Sequence, residues 1–403
     1  VLPWIPRQTF LGLQPKFQCF RRQAYKFLFY IHAVRFERVT YKKRDMSSIR
    51  GVESVDFTGK KVLLRVDFNV ELNKKQDVQE QFKLEAPKKT LSHILSFPGA
   101  KVALLTHFGR PEGARNMIFS LQPVVDDAER ALGLPVHFYE DCVGDGVSGA
   151  LDALPEGEVL LLENVRFYPG EESDDKDFAE RLAAPFDIYV NEAFSVCHRA
   201  QASISAITGI LPSYAGLRLL EEVKKLGEVR TNPARPAVAI IGGAKIETKL
   251  PLIREFERLY DAVLVGGKIA NEAIDEKIEF SDKVLLPRDF QGGDMRLDIG
   301  PITTAMFIEI IGKAKTIVWN GPMGKFEEKP YDSGTNAILH AMLCSEANVV
   351  IGGGESLVII EKADLMHKIG FVSTGGGAML EYLSGDTLPG LVALENAAGR
   401  VEA

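Results

Sequence analysis

Cysteine is scarce in this chain of 403 residues. Its four cysteines, Cys19, Cys142, Cys197 and Cys344, lie far apart with no CxxC pair. That excludes a disulfide framework and predicts reduced thiols in a cytoplasmic setting. Cys197 directly precedes His198, but no further ligands stand at metal spacing, so zinc is not expected. No apolar run reaches the roughly eighteen residues that a spanning helix needs, and no membrane partner is expected. The net charge is −7, and no polybasic stretch occurs beyond the N-terminal segment. Nucleic acid is thereby excluded as a general partner. Walker loops, short repeats and low-complexity tracts are missing as well. What remains is a chain of ordinary globular composition, 46% hydrophobic and 26% charged, long enough for two domains.

Residues 1–45 differ from the rest. They hold Arg7, Lys16, Arg21, Arg22, Lys26, Arg35, Arg38, Lys42, Lys43 and Arg44 against only Glu37 and Asp45, with aromatic residues between them. A basic, acid-poor leader is one form of organellar targeting peptide. This one has no Ser, and Met46-Ser-Ser-Ile-Arg50 reads as a natural start. The preferred expectation is therefore translated upstream sequence, with a targeting peptide second.

From Met46 onward, short apolar runs alternate with longer amphipathic ones, as βαβ units and parallel sheets require. Strands are predicted at Lys61–Val66, Lys101–Leu105, Val159–Leu162 and Asp187–Val190, with helices over Leu121–Leu132 and Lys176–Ala184. A longer helix over Leu217–Val229 ends at the prolines of Thr231-Asn-Pro-Ala-Arg-Pro236 and reads as a rigid connector. Further strands are predicted near Val238, Val263, Val284, Ile317, Val349 and Phe371. The fold class is α/β: two domains with parallel sheets, joined by a helix and a hinge. The expected divisions are 46–216, a connecting helix 217–230, 231–388, and a C-terminal segment 389–403 returning to the first domain.

Three glycine-rich turns each follow an apolar strand and open a helix: Gly242-Gly243-Ala-Lys245 with Lys249, Asn320-Gly-Pro322-Met-Gly, and Gly352-Gly353-Gly354-Glu355-Ser356. Such turns expose N–H groups and the positive end of the helix dipole, which suits phosphate. In the first half, Arg65, His107, Arg110, Arg166, His198 and Arg199 all stand at or just after strands. Arginine forks suit phosphate and carboxylate. One half thus reads as a small-anion site and the other as a nucleotide-phosphate site. His107 and His198 either act as bases for an alcohol acceptor or position charge for a carboxylate acceptor. Gly144-Asp-Gly146-Val-Ser-Gly149 matches dinucleotide-binding spacing, the basis of an oxidoreductase reading. The acids Glu140 and Asp141 beside it would repel a pyrophosphate, and it is read as a surface loop.

From Met46 the chain resembles phosphoglycerate kinase. The resemblance rests on Arg65-Val-Asp67-Phe-Asn69-Val70, His107-Phe-Gly-Arg110-Pro111, Leu162-Glu-Asn-Val-Arg166 and His198-Arg199-Ala200, in that order. It continues through Gly242–Lys245 with Lys249, Trp319–Gly324 with Glu327, Gly352–Gly354 and Ser373-Thr-Gly-Gly-Gly377. It implies two Rossmann-like domains in a monomer. One would bind 3-phosphoglycerate or 1,3-bisphosphoglycerate through Asp67, Asn69, His107, Arg110, Arg166, His198 and Arg199, with Arg65 nearby. The other would bind ATP or ADP with magnesium: Lys245 and Lys249 on the phosphates, Asn320, Pro322 and Glu327 bordering base and ribose. The Gly352–Gly354 amides would face the phosphates beside Ser356, Gly266 and Gly267 would line the nucleotide, and Glu355 would ligate Mg2+. Lys249, Lys245, Lys83 and Arg199 are the expected catalytic groups.

The chain also departs from the family pattern. Lys83 in the loop after the first strand stands for an Arg, which loses a fork worth roughly 1.5–3 kcal/mol. Glu355 stands for an Asp, and Lys268 and Lys325 for uncharged residues near the base. The stretch between Gly267 and Leu286 is shorter than the family norm, which predicts a missing or reduced helix. These substitutions motivate an alternative: a weakened family member that binds the triose acid or nucleotide and turns over poorly.

Overall fold

In a computed structural model, residues 48–72, 78, 80–362, 365 and 368–399 are described. Residues 1–45 and 400–403 of the expected terminal segments lie outside them. Two six-stranded sheets, all of whose pairings are parallel, organise the chain. The first contains β1 (Lys61–Arg65), β2 (Lys101–Leu105), β3 (Val136–Tyr139), β4 (Val159–Leu162), β5 (Ile188–Asn191) and β6 (Ser213–Ala215), in the order β3-β4-β2-β1-β5-β6. The second contains β7 (Ala237–Ile241), β8 (Ala262–Val265) and β9 (Val284–Leu285). A two-stranded hairpin, β10 (Phe290–Gln291) with β11 (Asp298–Ile299), interrupts before β12 (Thr316–Asn320), β13 (Asn348–Ile351) and β14 (Phe371–Val372). The second sheet runs β14-β13-β12-β7-β8-β9.

The strands are continuous apolar runs because both faces are covered. Leu64, Val102, Leu104, Leu161 and Val190 belong to one core, and the alternate residues Leu63, Ala103, Leu105, Leu160 and Tyr189 to another on the opposite face. In the second sheet, Val238, Ile240, Ile317, Trp319, Val349 and Ile351 share one face. Each sheet reverses its winding direction once, between β1 and β5 and between β7 and β12. Register aligns the strand ends there, pairing Arg65 with Asn191 and Ile241 with Asn320. Such a reversal opens a crevice at the carboxyl ends of the strands.

The helix Leu217–Thr231 follows β6 and ends just before the Asn232–Pro236 stretch. Glu192, at the end of β5, receives the Arg218 N–H at 3.1 Å and the Leu219 N–H at 3.3 Å, which satisfies two orphan donors of the helix start. The late helix Pro389–Ala398 packs beside β6, and the Gly390 N–H donates to the Cys197 carbonyl at 2.9 Å. The chain from Ser47 onward forms one compact unit. Residues 276–283, between the helix Gly267–Asp275 and β9, contain no helix.

Three expectations change. The Asn320–Gly324 turn does not open a helix, since the next one begins only at Ser333. The Gly144–Gly149 segment is not a surface loop but opens the helix Asp145–Ala153. A Cβ on Gly146 would lie 1.8 Å from the Tyr139 hydroxyl, so that glycine serves close packing. Lys83 is not in a loop but on the short helix Gln81–Glu85.

Candidate active site

The rim of the first sheet is built from side chains. Arg65 is fully buried at the end of β1. Its Nε donates to Ser203 Oγ at 2.9 Å, and Ser203 Oγ donates to Glu171 Oε1 at 2.7 Å. A further guanidinium nitrogen lies 3.2 Å from His107 Nδ1. Arg65 is thus a fixed buttress behind the rim. His107 is 4% exposed, and burial, with Arg65, Arg166 and Arg199 around it, pushes its pKa well down. Asp67 opposes this with its negative charge. Burial pushes the Asp67 carboxyl up, but Lys83, His107, the Ser195 hydroxyl and the Asn69 amide together hold it below the usual range.

Asn69 ties two loops together, its Oδ1 accepting from the Gly109 N–H at 2.9 Å. Arg166, 4% exposed, donates to the Gly109 carbonyl at 2.9 Å. Its Nε has Glu172 Oε1 at 3.5 Å and no hydrogen-bond partner among the described residues. Burial, aided by Arg65 and Arg199, lowers its pKa to about 10. Arg199 is half-buried and donates from Nε to His198 Nε2 at 3.2 Å. Burial and the Arg199 charge lower the His198 pKa. Arg110 is exposed. Lys83 Nζ lies between Glu80 Oε1 at 2.8 Å and the Asn69 carbonyl at 3.0 Å, close enough to act on Asp67. Concentrating this much positive charge without an equal number of carboxylates suits a multiply charged anion.

The rim of the second sheet is built from main chain. The Gly242 N–H donates to the Asn320 carbonyl at 2.9 Å, and the Gly243 N–H to the Pro322 carbonyl at 3.1 Å. A Cβ on Gly242 would sit 2.0 Å from the Pro322 oxygen, and Gly243 has φ +107°, so only glycine fits this seam. Gly267 donates to the Met323 carbonyl and Gly266 to the Ile241 carbonyl, which closes the same seam from the β8 side. Asn320 is buried; its Nδ2 donates to the Gly352 carbonyl at 2.9 Å, and its Oδ1 accepts from Lys249 Nζ. The Ser356 hydroxyl, also buried, accepts from the Gly321 N–H at 2.8 Å and so braces the turns. Lys249 is half-buried, and burial lowers its pKa to about 8 while the Glu355 charge opposes the shift. Lys245, Glu327 and Glu355 are exposed, with Glu355 in the first turn of the helix Gly354–Lys362. Glu355 Oε2 lies 3.7 Å from where a Gly243 Cβ would stand. Lys268 and Lys325 are exposed and pair with Glu272 and Glu328.

The rims approach through the loop after β14. The Phe194 ring lies 2.7 Å from the position of a Gly375 Cβ, and His198 Nε2 lies 3.6 Å from that of Gly377. Asp67, Lys83, Glu192 and Thr374 line one small crevice. A larger cavity of about 360 Å³, with His340 and Cys344, lies near the amino ends of β12 and β13, away from these groups. Glu171, Ser203, Ser195 and Glu192 support the site but were not among the predicted residues. Their partners are distant in sequence: Arg65 and Ser203 are 138 residues apart. Of these, Glu192 and Ser195 lie just before the His198-Arg199-Ala200 segment, the one local signal that could have found them.

A cationic rim on one parallel sheet and a glycine-turn rim with a half-buried lysine on a second are the parts of an α/β phosphotransferase. The family model for phosphoglycerate kinase matches residues 52–277 and 272–386. The chain belongs to the phosphoglycerate kinase family. It is 39% identical over 395 residues to the phosphoglycerate kinase of Geotalea uraniireducens, covering 87% of this chain and 99% of that protein. It is 41% identical over 396 residues to that of Bartonella quintana, covering 86% and 99%. The crystal structure of the Pyrococcus horikoshii phosphoglycerate kinase superposes with a TM-score of 0.77 at 28% identity, covering 87% of this chain and 100% of that one. The Coxiella burnetii structure gives 0.73 at 30% identity, with the same coverage. Among the described residues no helix is long and apolar enough to cross a membrane.

Proposed function

We propose that the chain is a working phosphoglycerate kinase, moving a phosphoryl group reversibly between 1,3-bisphosphoglycerate and ADP, with the triose acid on the first rim and the nucleotide on the second. The observation that carries this is Lys249, half-buried and held by Asn320 where all three glycine turns meet. Its ammonium would follow the transferred group, while the start of the helix Gly354–Lys362 receives other phosphate oxygens; the Gly242, Gly243 and Gly352 amides are already used within the turns.

The acceptor is a carboxylate and already ionised, so no base is needed. His107 fits that chemistry, since its lowered pKa keeps the ring neutral and able to orient the acid beside Arg166 and Arg199. Phosphoryl transfer through a loose transition state relies on alignment and charge neutralisation, which this residue set supplies. When bound with the nucleotide, Mg2+ neutralises phosphate charge. Glu355 offers it one hard oxygen beside the Gly243 turn. Among the described residues no cluster of three His, Cys, Asp or Glu side chains could hold a metal. Residues 46–216 and 231–388 would act as the two moving parts, closing around both substrates to exclude water.

The test is turnover of the full chain with ATP, Mg2+ and 3-phosphoglycerate, coupled to NADH oxidation by glyceraldehyde-3-phosphate dehydrogenase. Turnover is expected, and Lys249→Ala should lower kcat roughly a hundredfold to a thousandfold. Nucleotide KM should rise as pH climbs through about 8, where Lys249 loses its proton. Folded protein that binds 3-phosphoglycerate but shows no turnover would sink the proposal.

A further inference from the structure

The first turns of the helix Leu217–Thr231 carry a charged cluster that the site above does not use. The Arg218 guanidinium donates to the Val372 carbonyl at the end of β14, to Glu221 Oε2 at 3.0 Å and to Glu222 Oε1 at 3.1 Å. Its carbon lies 4.7 Å from the centroid of the Phe371 ring. Glu222 is fully buried, and its Oε1 also accepts the Thr374 N–H at 2.7 Å and the Thr374 hydroxyl at 3.0 Å. One guanidinium and one carboxylate therefore fasten the helix to residues 371–374 of the second sheet. The same helix start is fastened to the first sheet by Glu192.

The pairing is incomplete. Arg218 Nε and Glu222 Oε2 are both buried, and neither has a protein hydrogen-bond partner among the described residues. The Ser373 hydroxyl lies near enough to favour the carboxylate's charge, yet no well-aligned bond reaches Oε2. A buried donor and a buried acceptor left over on two residues that already touch is a costly arrangement that calls for a reason. Rotating the guanidinium against the carboxylate would turn the single bond into a two-bond fork and use both leftover atoms. That rotation would give up the bond to the Val372 carbonyl and free the loop Ser373–Gly377, which lies against Phe194 and His198.

We propose that Arg218 is a positioning residue for phosphoryl transfer. The junction at residues 371–374 has two settings: the one seen here, and a second with the Arg218–Glu222 fork complete, populated when both substrates are bound. This rests on the functional reading above, because the junction matters to turnover only if groups on the two rims must meet.

The test uses the full chain and its Arg218→Lys and Arg218→Met variants. Lysine keeps the charge and much of the stem but has no fork, and Met keeps the length alone. Steady-state kinetics, calorimetric binding of 3-phosphoglycerate and of MgATP separately, and the radius of gyration from X-ray scattering with and without both substrates would be measured. In folded Arg218→Lys, kcat is expected to fall roughly tenfold or more through misplacement. Each ligand's separate affinity should stay within about twofold, as expected when only transition-state alignment is lost. The compaction caused by both substrates together should shrink, and further in Arg218→Met. A merely structural Arg218 would lower the melting temperature and leave kcat and compaction of the folded variant at wild-type values, which overturns the proposal. Wild-type protein that binds both ligands and turns over, but compacts no more than Arg218→Met, also overturns it and leaves the kinase reading standing. Wild-type protein that binds neither ligand removes the kinase reading, and this proposal with it.

Discussion

The two rims hold anions by opposite means. On the first sheet the donors are side chains, and each is itself held: Arg65 by Ser203 and His107, Arg166 by the Gly109 carbonyl, Arg199 by His198. On the second sheet the donors are largely main chain, and the holding is done by other main-chain atoms across the Gly242–Pro322 seam. Lys249 stands out there, a half-buried cation braced by a neutral amide. The difference teaches where each half is weak. The first rim fails when charge geometry is lost, and the second when volume is gained.

The sharpest way to break this contrast is Gly242→Ala. Its methyl group would meet the Pro322 oxygen at 2.0 Å and the Gly321 oxygen at 2.7 Å, both main-chain atoms with no rotamer to yield. Stability should fall by about 3 kcal/mol, at the upper end for overpacking, as read by denaturant unfolding. In the protein that still folds, nucleotide binding should be lost while 3-phosphoglycerate binding persists. Loss of both affinities together would show that the rims are not independent.

Arg166→Lys is the matching change on the first rim, with a smaller effect. The ammonium keeps the charge, but it cannot bond the Gly109 carbonyl and present a fork at once. Affinity for 3-phosphoglycerate should drop roughly tenfold to a hundredfold, the worth of one charge-assisted hydrogen bond, while calorimetric MgATP affinity stays put. Unchanged 3-phosphoglycerate affinity would remove Arg166 from the anion site.

The same contrast governs how much could be read in advance. β2 and β4 fall where their apolar runs predict, and β1 and β5 within a residue, because strands buried on both faces have no polar alternation to mislead. β6 and the hairpin strands β10 and β11 were not predicted, since segments of two or three residues carry too little pattern. β3, at the sheet edge and half-exposed, is likewise missing from the predicted strands. Glycine turns are legible because few residues tolerate the seam they form. The Arg65–Ser203–Glu171 relay was not, for a serine and a glutamate gain that meaning only when the fold brings them together. Asn320 is expected beside base and ribose; its amide also braces Lys249 and Gly352, a contact no local spacing announces.

Glu192 lies where the two regions join, and its effect is the smallest and the most diagnostic. It accepts from the Thr90 hydroxyl at 2.5 Å and from two amides of the connecting helix. Burial nevertheless raises its carboxyl to about 7, against those bonds and the Arg218 charge. With the folded pKa above the unfolded 4.5, the folded protein binds the extra proton between those values. The stability this contributes is fully present below the unfolded pKa and is lost as pH rises through about 7. Glu192→Gln cannot titrate, so it should start less stable at pH 5, having exchanged an accepting oxygen for an NH2 group. The gap to wild type should then narrow by about 2 kcal/mol by pH 7. Denaturant unfolding at pH 5, 6 and 7 measures that gap directly. A gap that holds constant would mean that Glu192 stays ionised throughout, and that the bonds from Thr90 and the helix amides outweigh its burial.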